Sequence, residues 1–287
     1  MHSRTRVRQP DQRTQSIPFS GASSWAKCPR LFSRHIWVPC VTVFTIRSAT
    51  IWKVFNIVAP QEEDDMGGLI PLSDASRRPQ RIPLITALII LVNGLVFLME
   101  LTGGEAFVTT WSAIPAQIVS GHQWITLITS MFMHGSWMHI IGNMIFLWAF
   151  GPEIEDAMGR WRYVIFYFAG GLVAMIAQVV ADPHSTIPNL GASGAIAAVM
   201  GAFLVTYPRD RIRSLLFIFI FVRTTFIPAA LLIGFWFISQ LFDAGSVADV
   251  QTGGVAYLAH IGGFVFGVAT ARLFEDPRRI AEQGDGE

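Results

Sequence analysis

The chain has 287 residues, of which 52% are hydrophobic and 14% are charged, and its formal net charge at pH 7 is +1. Soluble globular chains carry roughly 25% charged residues, so this composition indicates a membrane protein. The near-zero charge and the lack of a basic stripe interleaved with aromatic residues exclude a large nucleic-acid-binding surface. The two cysteines, Cys28 and Cys40, are too few for a disulfide framework or a metal cluster.

The first 65 residues differ in character from the rest of the chain. Arginine and serine are scattered through them, and the apolar run 36–60 is interrupted by Arg47 and Lys53. A charge at mid-depth is costly, which argues against a further span there. Residues 1–65 are either an organelle-targeting extension or the product of translation that starts too early. Met66 opens a sequence that leads directly into the first apolar span, which favours the second interpretation, and we expect little fixed structure before it.

Six apolar stretches are long enough to cross a bilayer, since a spanning helix needs about 20 mostly apolar residues. They comprise residues 82–101, 124–150, 163–181, 188–207, 224–242 and 250–271. The one formally charged side chain within them is Glu100, at the end of the first. The sequence therefore predicts an all-α membrane protein: a six-transmembrane-helix bundle in residues 66–275, followed by a cytoplasmic tail, 276–287.

Arginine positions predict the orientation of the bundle. Arginines precede the first span and follow the second, fourth and sixth, whereas the loops 102–123, 182–187 and 243–249 contain no Lys or Arg. Because basic loops stay in the cytoplasm, both termini are predicted to be cytoplasmic. Arg223 does not fit this scheme, and we interpret the short run 215–222 before it as an interfacial or partly buried connection. The predicted location is a bacterial inner membrane, or an organelle membrane if residues 1–65 are a targeting segment.

Polar side chains inside apolar spans are costly, so each is a candidate for function. The second span contains His134, His139 and Asn143. His139 and Asn143 are four residues apart and share one helix face, while His134 is rotated away by roughly 140°. For His134 we favour a capping or loop-fixing role at the outer end of the span.

The fourth span begins with a run of small residues that includes Ser193. At a helix N-terminus a hydroxyl stays accessible, and free backbone N–H groups can stabilise a negatively charged oxygen. Small-residue runs are also common packing surfaces, so the serine alone does not decide between packing and catalysis.

The sixth span carries His260 beside a face of small residues. Small residues recur at four-residue steps on both spans: Ala259, Gly263 and Gly267 on the sixth, Gly194 and Ala198 on the fourth. Such faces let helices approach closely, which would bring the imidazole of His260 to the hydroxyl of Ser193. Histidine has a suitable pKa for a general base. A helix-packing hydrogen bond is the alternative role for this histidine.

A serine and histidine dyad is the interpretation that remains after other proteolytic chemistries are tested. No Asp or Glu inside a span is placed to orient His260, so a Ser-His-Asp triad is not predicted. There is no H-E-x-x-H zinc motif and no aspartate inside a span. His139 and Asn143 can donate hydrogen bonds to an oxyanion if the second span lies beside the fourth. No metal or cofactor is predicted.

Three motifs resemble the signature motifs of the rhomboid proteases, and they occur in the family order on spans two, four and six. The motifs are HGSWMHIIGN with His139 and Asn143, GASG with Ser193, and AHIGG with His260. The similarity covers about residues 66–275. The run GPEIEDAMGRWRYVIFY, with Glu155 and Gly159, is similar to the family's segment after the second span.

The resemblance implies a bundle in which the short fourth helix starts below the membrane surface, beside a water-filled cavity open to the outside. Ser193 would attack the scissile carbonyl, and His260 would take its proton. The backbone N–H of Ser193 and the side chains of His139 and Asn143 would hold the oxyanion. The loop 102–123 would lie partly in the outer leaflet.

The resemblance also implies a route for substrates. Trp236 and Phe237 on the fifth span would form a lateral gate. The substrates would be single-span transmembrane proteins with small residues at the cleavage point and a readily unwound helix nearby. The lipid bilayer would be the other partner.

Two features depart from the pattern of some family members. Trp111 is followed by Ser112 where some members have arginine, and Ala197 stands where some have a tyrosine that stacks on the histidine. We therefore expect another residue, such as Phe264, to support the ring of His260. Two other functions remain as alternatives: a catalytically silent relative that binds membrane helices, and a six-span transporter.

Overall fold

The computed structural model describes residues 67–218, 221–247 and 256–285, all within one unit of the chain, Ile46–Glu287. The predicted extension 1–65 lies outside the described residues. The described part is mostly helical. Its helices are α1 Leu84–Trp111, α2 Pro115–Val119, α3 Thr126–Thr129, α4 Trp137–Met158, α5 Arg160–Ala181, α6 Ser193–Thr206, α7 Ala229–Val247, α8 Tyr257–Phe274 and α9 Pro277–Glu282.

Three of these helices, α1, α5 and α8, are long and apolar enough to cross a membrane, judged by length and composition. The apolar helices α6 and Ala229–Ala244 of α7 are shorter. Large apolar side chains cover the outside of the helices: Leu95 on α1 and Ile165 on α5 are each more than half exposed. Such a surface is costly in water and suits a lipid environment.

Helix α6 lies at the centre and packs closely against α8, as the small-residue faces predict. A Cβ atom at Gly263 would lie 2.0 Å from the carbonyl oxygen of Gly194, and one at Gly267 would lie 2.0 Å from that of Ala198. No side chain larger than hydrogen fits at either position, so the two backbones are in direct contact. The predicted close approach of the fourth and sixth spans is confirmed.

The boundaries of several predicted spans need correction. The second predicted span is not one helix: residues 126–132 form the short helix α3 and a 3-10 turn, Ser130–Phe132, and α4 begins only at Trp137. Ser136 sets that start because its hydroxyl accepts a hydrogen bond from the backbone N–H of His139. In the first span, α1 continues to Trp111 through a kink at Gly104, where φ is 61°.

The predicted all-α architecture is wrong in one respect, because three strands form an antiparallel sheet in the order β1-β3-β4. The strands are β1 Gly67–Asp74, β3 Arg211–Ile218 and β4 Phe221–Pro228. A second sheet pairs the short strands β2 Arg77–Arg78 and β5 Gly284–Asp285. The fifth predicted span therefore begins as a strand at residue 224, and its helix starts at Ala229, directly after Pro228.

The sheet forms because β3 has the period of a strand. Arg211 and Arg213 are exposed, while Ile212 and Ser214 are buried, so alternate side chains point to opposite faces. The buried face, which also includes Leu69 of β1, packs into the main hydrophobic core. Within the predicted interfacial or partly buried connection 215–222, residues 215–218 belong to β3 and residues 221 and 222 belong to β4.

Arg77 and Arg81 lie at one end of the bundle, the arginine-rich end, where polar contacts connect neighbouring segments. Arg77 Nε lies 2.5 Å from a carboxylate oxygen of Asp210, and Arg81 lies 3.2 Å from Asp156. The segment predicted as a tail also contacts the bundle here, since the backbone N–H of Asp276 donates to the carbonyl of Ala157.

Candidate active site

Ser193 and His260 form a hydrogen-bonded pair. Oγ of Ser193 lies 2.7 Å from Nε2 of His260. Ser193 is the first residue of α6 and is partly accessible, whereas His260 lies in the first turn of α8 and is 6% exposed. The contact follows from the helix packing. Gly194 touches Gly263, and His260 precedes Gly263 by one turn, so its ring lies beside the start of α6.

His139, Asn143 and His134 form a polar cluster near this pair. Nδ2 of Asn143 lies 2.9 Å from Nε2 of His134, and the rings of His134 and His139 are 5.0 Å apart, edge to face. His134 precedes α4, so the helical rotation predicted for it does not apply, and the loop brings its ring back onto Asn143. The backbone N–H of His134 donates to the carboxylate of Glu100 at 2.9 Å, which ties the loop to α1.

Gly191 lies next to the side chains of both His139 and Ser193. Its φ is 130°, which favours glycine, and its backbone N–H donates to the carbonyl of Ser130 at 2.9 Å. A Cβ atom at Gly191 would lie 2.9 Å from Nε2 of His139 and 3.4 Å from Oγ of Ser193. The space beside Gly191 is therefore lined by the hydroxyl of Ser193 and the imidazole of His139.

Gln240 on α7 is a site residue that the sequence predictions missed. Its Oε1 lies 2.6 Å from Nδ1 of His260, and the side chain is 7% exposed. A signal was present in the sequence, because Gln240 is a lone amide inside the predicted fifth span.

The aromatic support of His260 comes from Trp236 and Tyr257. The ring centroid of Trp236 lies 5.8 Å from that of His260, and Tyr257 approaches edge-on at 6.4 Å. Phe264, the residue expected to support His260, instead stacks on Phe237 at 4.1 Å. The two predicted gate residues therefore contact the catalytic histidine candidate and the α8 helix that carries it.

Glu155 and Gly159 occupy structural positions at the arginine-rich end. The carboxylate of Glu155 accepts hydrogen bonds from the backbone N–H groups of Ile85 and Thr86, at 2.9 and 2.8 Å, and so caps the start of α1. Gly159 joins α4 to α5 with a φ of 79°, and a Cβ atom there would lie 3.1 Å from the guanidinium carbon of Arg279.

A small cavity of about 10 Å³ lies beside Ser193, and it is lined by residues that include Gly171, Ala174 and Met175. Among the residues that the structure describes, no group of three or more His, Cys, Asp or Glu side chains is arranged to hold a metal ion.

The fold and this site define a membrane protein with a partly accessible serine that is hydrogen-bonded to a buried histidine at the contact of two helices. The chain matches the model of the rhomboid domain over residues 121–276, which is more than half of its length. It therefore belongs to the rhomboid family.

The chain is similar to one bacterial and two mitochondrial proteins in particular. The chain is 29% identical over 200 residues to rhomboid protease GluP of Bacillus subtilis, which covers 68% of this chain and 36% of that protein. It is 32% identical over 148 residues to the mitochondrial rhomboid protein 1 of Saccharomyces cerevisiae, covering 50% of this chain and 40% of the relative. The mitochondrial presenilin-associated rhomboid-like protein of Rattus norvegicus is 28% identical over 146 residues, again 50% of this chain and 36% of the relative. The matches thus span two fifths or less of these three proteins.

Proposed function

We propose that this protein is an intramembrane serine endopeptidase that cleaves the transmembrane segments of single-span proteins. The observation that carries the proposal is the 2.7 Å contact between Oγ of Ser193 and Nε2 of His260. This is the geometry of a nucleophile with its general base.

In the proposed reaction, Oγ of Ser193 bonds to the scissile carbonyl carbon while its proton passes to Nε2 of His260. The C–N bond then breaks as His260 returns that proton to the leaving amine, and an acyl-enzyme remains. His260 next takes a proton from water, whose oxygen attacks the ester carbonyl. The new carboxyl group is released, and Ser193 regains its proton.

The oxyanion that forms in both steps would be held by the backbone N–H of Ser193, His139 and Asn143. The N–H groups in the first turn of a helix have no partner within the helix, so that of Ser193 is available. Asn143 directs one N–H toward His134 and keeps the second for the oxyanion.

We propose that six helices, α1 and α4 to α8, cross the membrane, with the arginine-rich end in the cytoplasm of a bacterial cell. The distribution of arginine and the apolar surfaces of the helices support this topology. Alkaline phosphatase and green fluorescent protein fused after residue 183 and after residue 209 test it. Phosphatase activity at 183 and fluorescence at 209 are expected, and the reverse pattern would contradict the orientation.

The substrates proposed have small residues at the cleavage point. The cavity of about 10 Å³ beside Ser193 has room for a group about the size of one water molecule. Substrates would enter between α4 and α7, where Trp236 and Phe237 form the gate. A single-span substrate with alanine at the cleaved position should be cut, and its phenylalanine variant should not be cut at that bond.

Labelling with a fluorophosphonate tests the nucleophile directly. We expect an adduct on Ser193, located by mass spectrometry, that is lost in Ser193→Ala and strongly reduced in His260→Ala. The exposed serine variant Ser120→Ala serves as the control and should label normally. Cleavage of a single-span substrate in detergent should likewise be lost in Ser193→Ala, strongly reduced in His260→Ala and normal in Ser120→Ala. A folded protein that neither labels nor cleaves would instead support the catalytically silent alternative.

A further inference from the structure

We propose that Gln240 is a positioning residue that holds His260 in the tautomer needed for catalysis, so that the site works as a triad of Ser193, His260 and Gln240. The proposal rests on the proposed function and adds a third polar side chain to it. Oε1 of Gln240 lies 2.6 Å from Nδ1 of His260, on the side of the ring opposite Ser193.

The orientation of the Gln240 amide is fixed by its neighbour, Ser239. The hydroxyl of Ser239 donates to the backbone carbonyl of Trp236 at 2.5 Å, and a carbonyl oxygen can only accept. Ser239 is left with lone pairs, which accept the Nε2–H of Gln240 at 3.0 Å. The amide nitrogen therefore faces Ser239, and the amide oxygen faces His260.

This orientation determines the tautomer of His260. Because the amide oxygen of Gln240 is an acceptor, Nδ1 of His260 must carry the proton. In the neutral ring Nε2 is then unprotonated, and it accepts the proton of the Ser193 hydroxyl. The direction of every hydrogen bond from the carbonyl of Trp236 to Ser193 is thus set, and it points the lone pair of the base at the nucleophile.

Burial makes this arrangement important. Gln240 and His260 are 7% and 6% exposed, so an Nδ1–H without an acceptor would be a buried unsatisfied donor. An amide also suits this location better than a carboxylate does. It aligns the ring and stabilises the imidazolium with a dipole, without the cost of desolvating a further charge inside the membrane.

Three substitutions of Gln240 test the proposal. Gln240→Leu keeps the size and removes the acceptor, and we expect kcat for a single-span substrate to fall roughly 10–100-fold with little change in KM. Gln240→Glu keeps an acceptor oxygen in the same place and should retain most of the activity. Gln240→Ala should resemble the leucine variant.

Gln178 provides a matched control. This glutamine on α5 also contacts α8, since its Oε1 accepts from the backbone N–H of Ala259 at 3.3 Å, but no contact joins it to the imidazole. Gln178→Leu should alter stability without altering the kinetics of the folded enzyme. If Gln240 only packs α7 against α8, the two leucine variants will behave alike.

The pH profile separates positioning from packing. Among the described residues, the ionisable side chains near the His260 ring are those of His139 on α4 and Tyr257 on α8, with Asp243 of α7 close to Tyr257, and all three are unchanged in these variants. Gln240→Leu removes the acceptor that stabilises the protonated ring of His260 and should move the acidic limb of kcat/KM to lower pH. Gln240→Glu places a negative charge beside the ring, which stabilises the imidazolium further, and should move that limb to higher pH. Identical acidic limbs in all variants would overturn the proposal.

Nitrogen-15 NMR of histidine-labelled protein provides a readout that does not depend on proteolysis. The signals lost in His260→Ala identify this ring, and we expect a protonated Nδ1 in the native protein and in Ser193→Ala, but a mixture of tautomers in Gln240→Leu. If the protein does not cleave substrates yet shows this change, the proposed function fails and the positioning role stands. A ring that keeps its tautomer in Gln240→Leu overturns the role.

Ser239→Ala covers the case in which Gln240→Leu does not fold. It frees the amide of Gln240 to rotate while leaving both helices packed, so the acidic limb should move in the same direction as in Gln240→Leu, with a loss of roughly 2–10-fold in kcat. A folded Ser239→Ala enzyme with unchanged kcat, pH profile and tautomer would overturn the proposal.

Discussion

Asn143 is held by a neutral histidine. Nε2 of His134 can accept from Asn143 only when it is unprotonated, and Nδ1 of His134 then carries the proton toward the carbonyl of Phe132, 3.3 Å away. The backbone of His134 is in turn fixed by Glu100. The amide proposed to bind the oxyanion is therefore oriented before substrate arrives, which is the condition for electrostatic stabilisation of a transition state.

We expect Asn143→Ala to lower kcat roughly 10²–10³-fold with little change in KM, because the contact forms mainly as the oxyanion develops. Steady-state kinetics with a single-span substrate measure this. His134→Ala should show a smaller loss of the same kind. Asn93→Ala, which removes a buried amide on α1 away from the site, is the control and should leave kcat unchanged. A raised KM with unchanged kcat in Asn143→Ala would contradict the role.

At the scale of elements, the contact of α6 with α8 determines whether Ser193 meets His260. Gly267→Ala places a methyl group 2.0 Å from the carbonyl oxygen of Ala198, so the helices must separate. We expect a loss of about 1–3 kcal/mol in the free energy of unfolding and slower fluorophosphonate labelling. Gly234→Ala on α7 is the control, because a Cβ atom there meets nothing within 4 Å. Thermal unfolding in detergent compares the two, and equal midpoints would contradict the packing argument.

Glu155 is a second element-scale determinant, because it caps α1 from the end of α4. Glu155→Ala leaves the buried N–H of Thr86 and the partly buried N–H of Ile85 without their acceptors, at about 1–3 kcal/mol for the buried group and less for the other. We expect a large drop in thermal midpoint. Glu105→Ala on the exposed part of α1 is the control and should stay within about 0.5 kcal/mol of the native protein. A midpoint for Glu155→Ala close to that of the control would show that the cap contributes little.

The sequence predicted a mostly helical membrane domain and the contact between Ser193 and His260, because both depend on the local hydrophobic pattern and on small residues that let helices pack closely. It did not predict the sheet. Residues 211–228 are apolar on average, and a strand is seen in them only from the alternation of Arg211, Ile212 and Arg213. The contact between Gln240 and His260 was missed for another reason: α7 and α8 meet through residues 20 positions apart, and no spacing rule joins them.

At the scale of the whole molecule, Asp74 links the sheet to the arginine-rich end. Its Oδ1 accepts from the backbone N–H of Ser76 at 2.7 Å, and its carboxylate is buried near Asp210, the partner of Arg77. Burial, with a smaller contribution from the nearby Asp210, raises the pKa of Asp74 from 3.8 to about 7. This carboxyl group thus stays protonated in the folded protein at pH values where it is ionised in the unfolded chain.

The sign of the pH effect follows from this difference. Between pH 4 and 7 the folded protein holds one more proton at Asp74 than the unfolded chain, so the free energy of unfolding falls as the pH rises through this window. Asp74→Asn keeps the acceptor for Ser76 and removes the titration. We expect the free energy of unfolding of the variant to rise relative to that of the native protein as the pH rises, by up to about 4 kcal/mol at pH 8 relative to pH 4, since the shift of about 3 pKa units is worth about 1.4 kcal/mol per unit. Thermal unfolding in detergent from pH 4 to 8 measures the gain. Asp74 lies at the end of β1, close to Asp210. If the difference in the free energy of unfolding between the two proteins stays constant over that range, the junction of the sheet with the bundle does not depend on the charge of this carboxyl group.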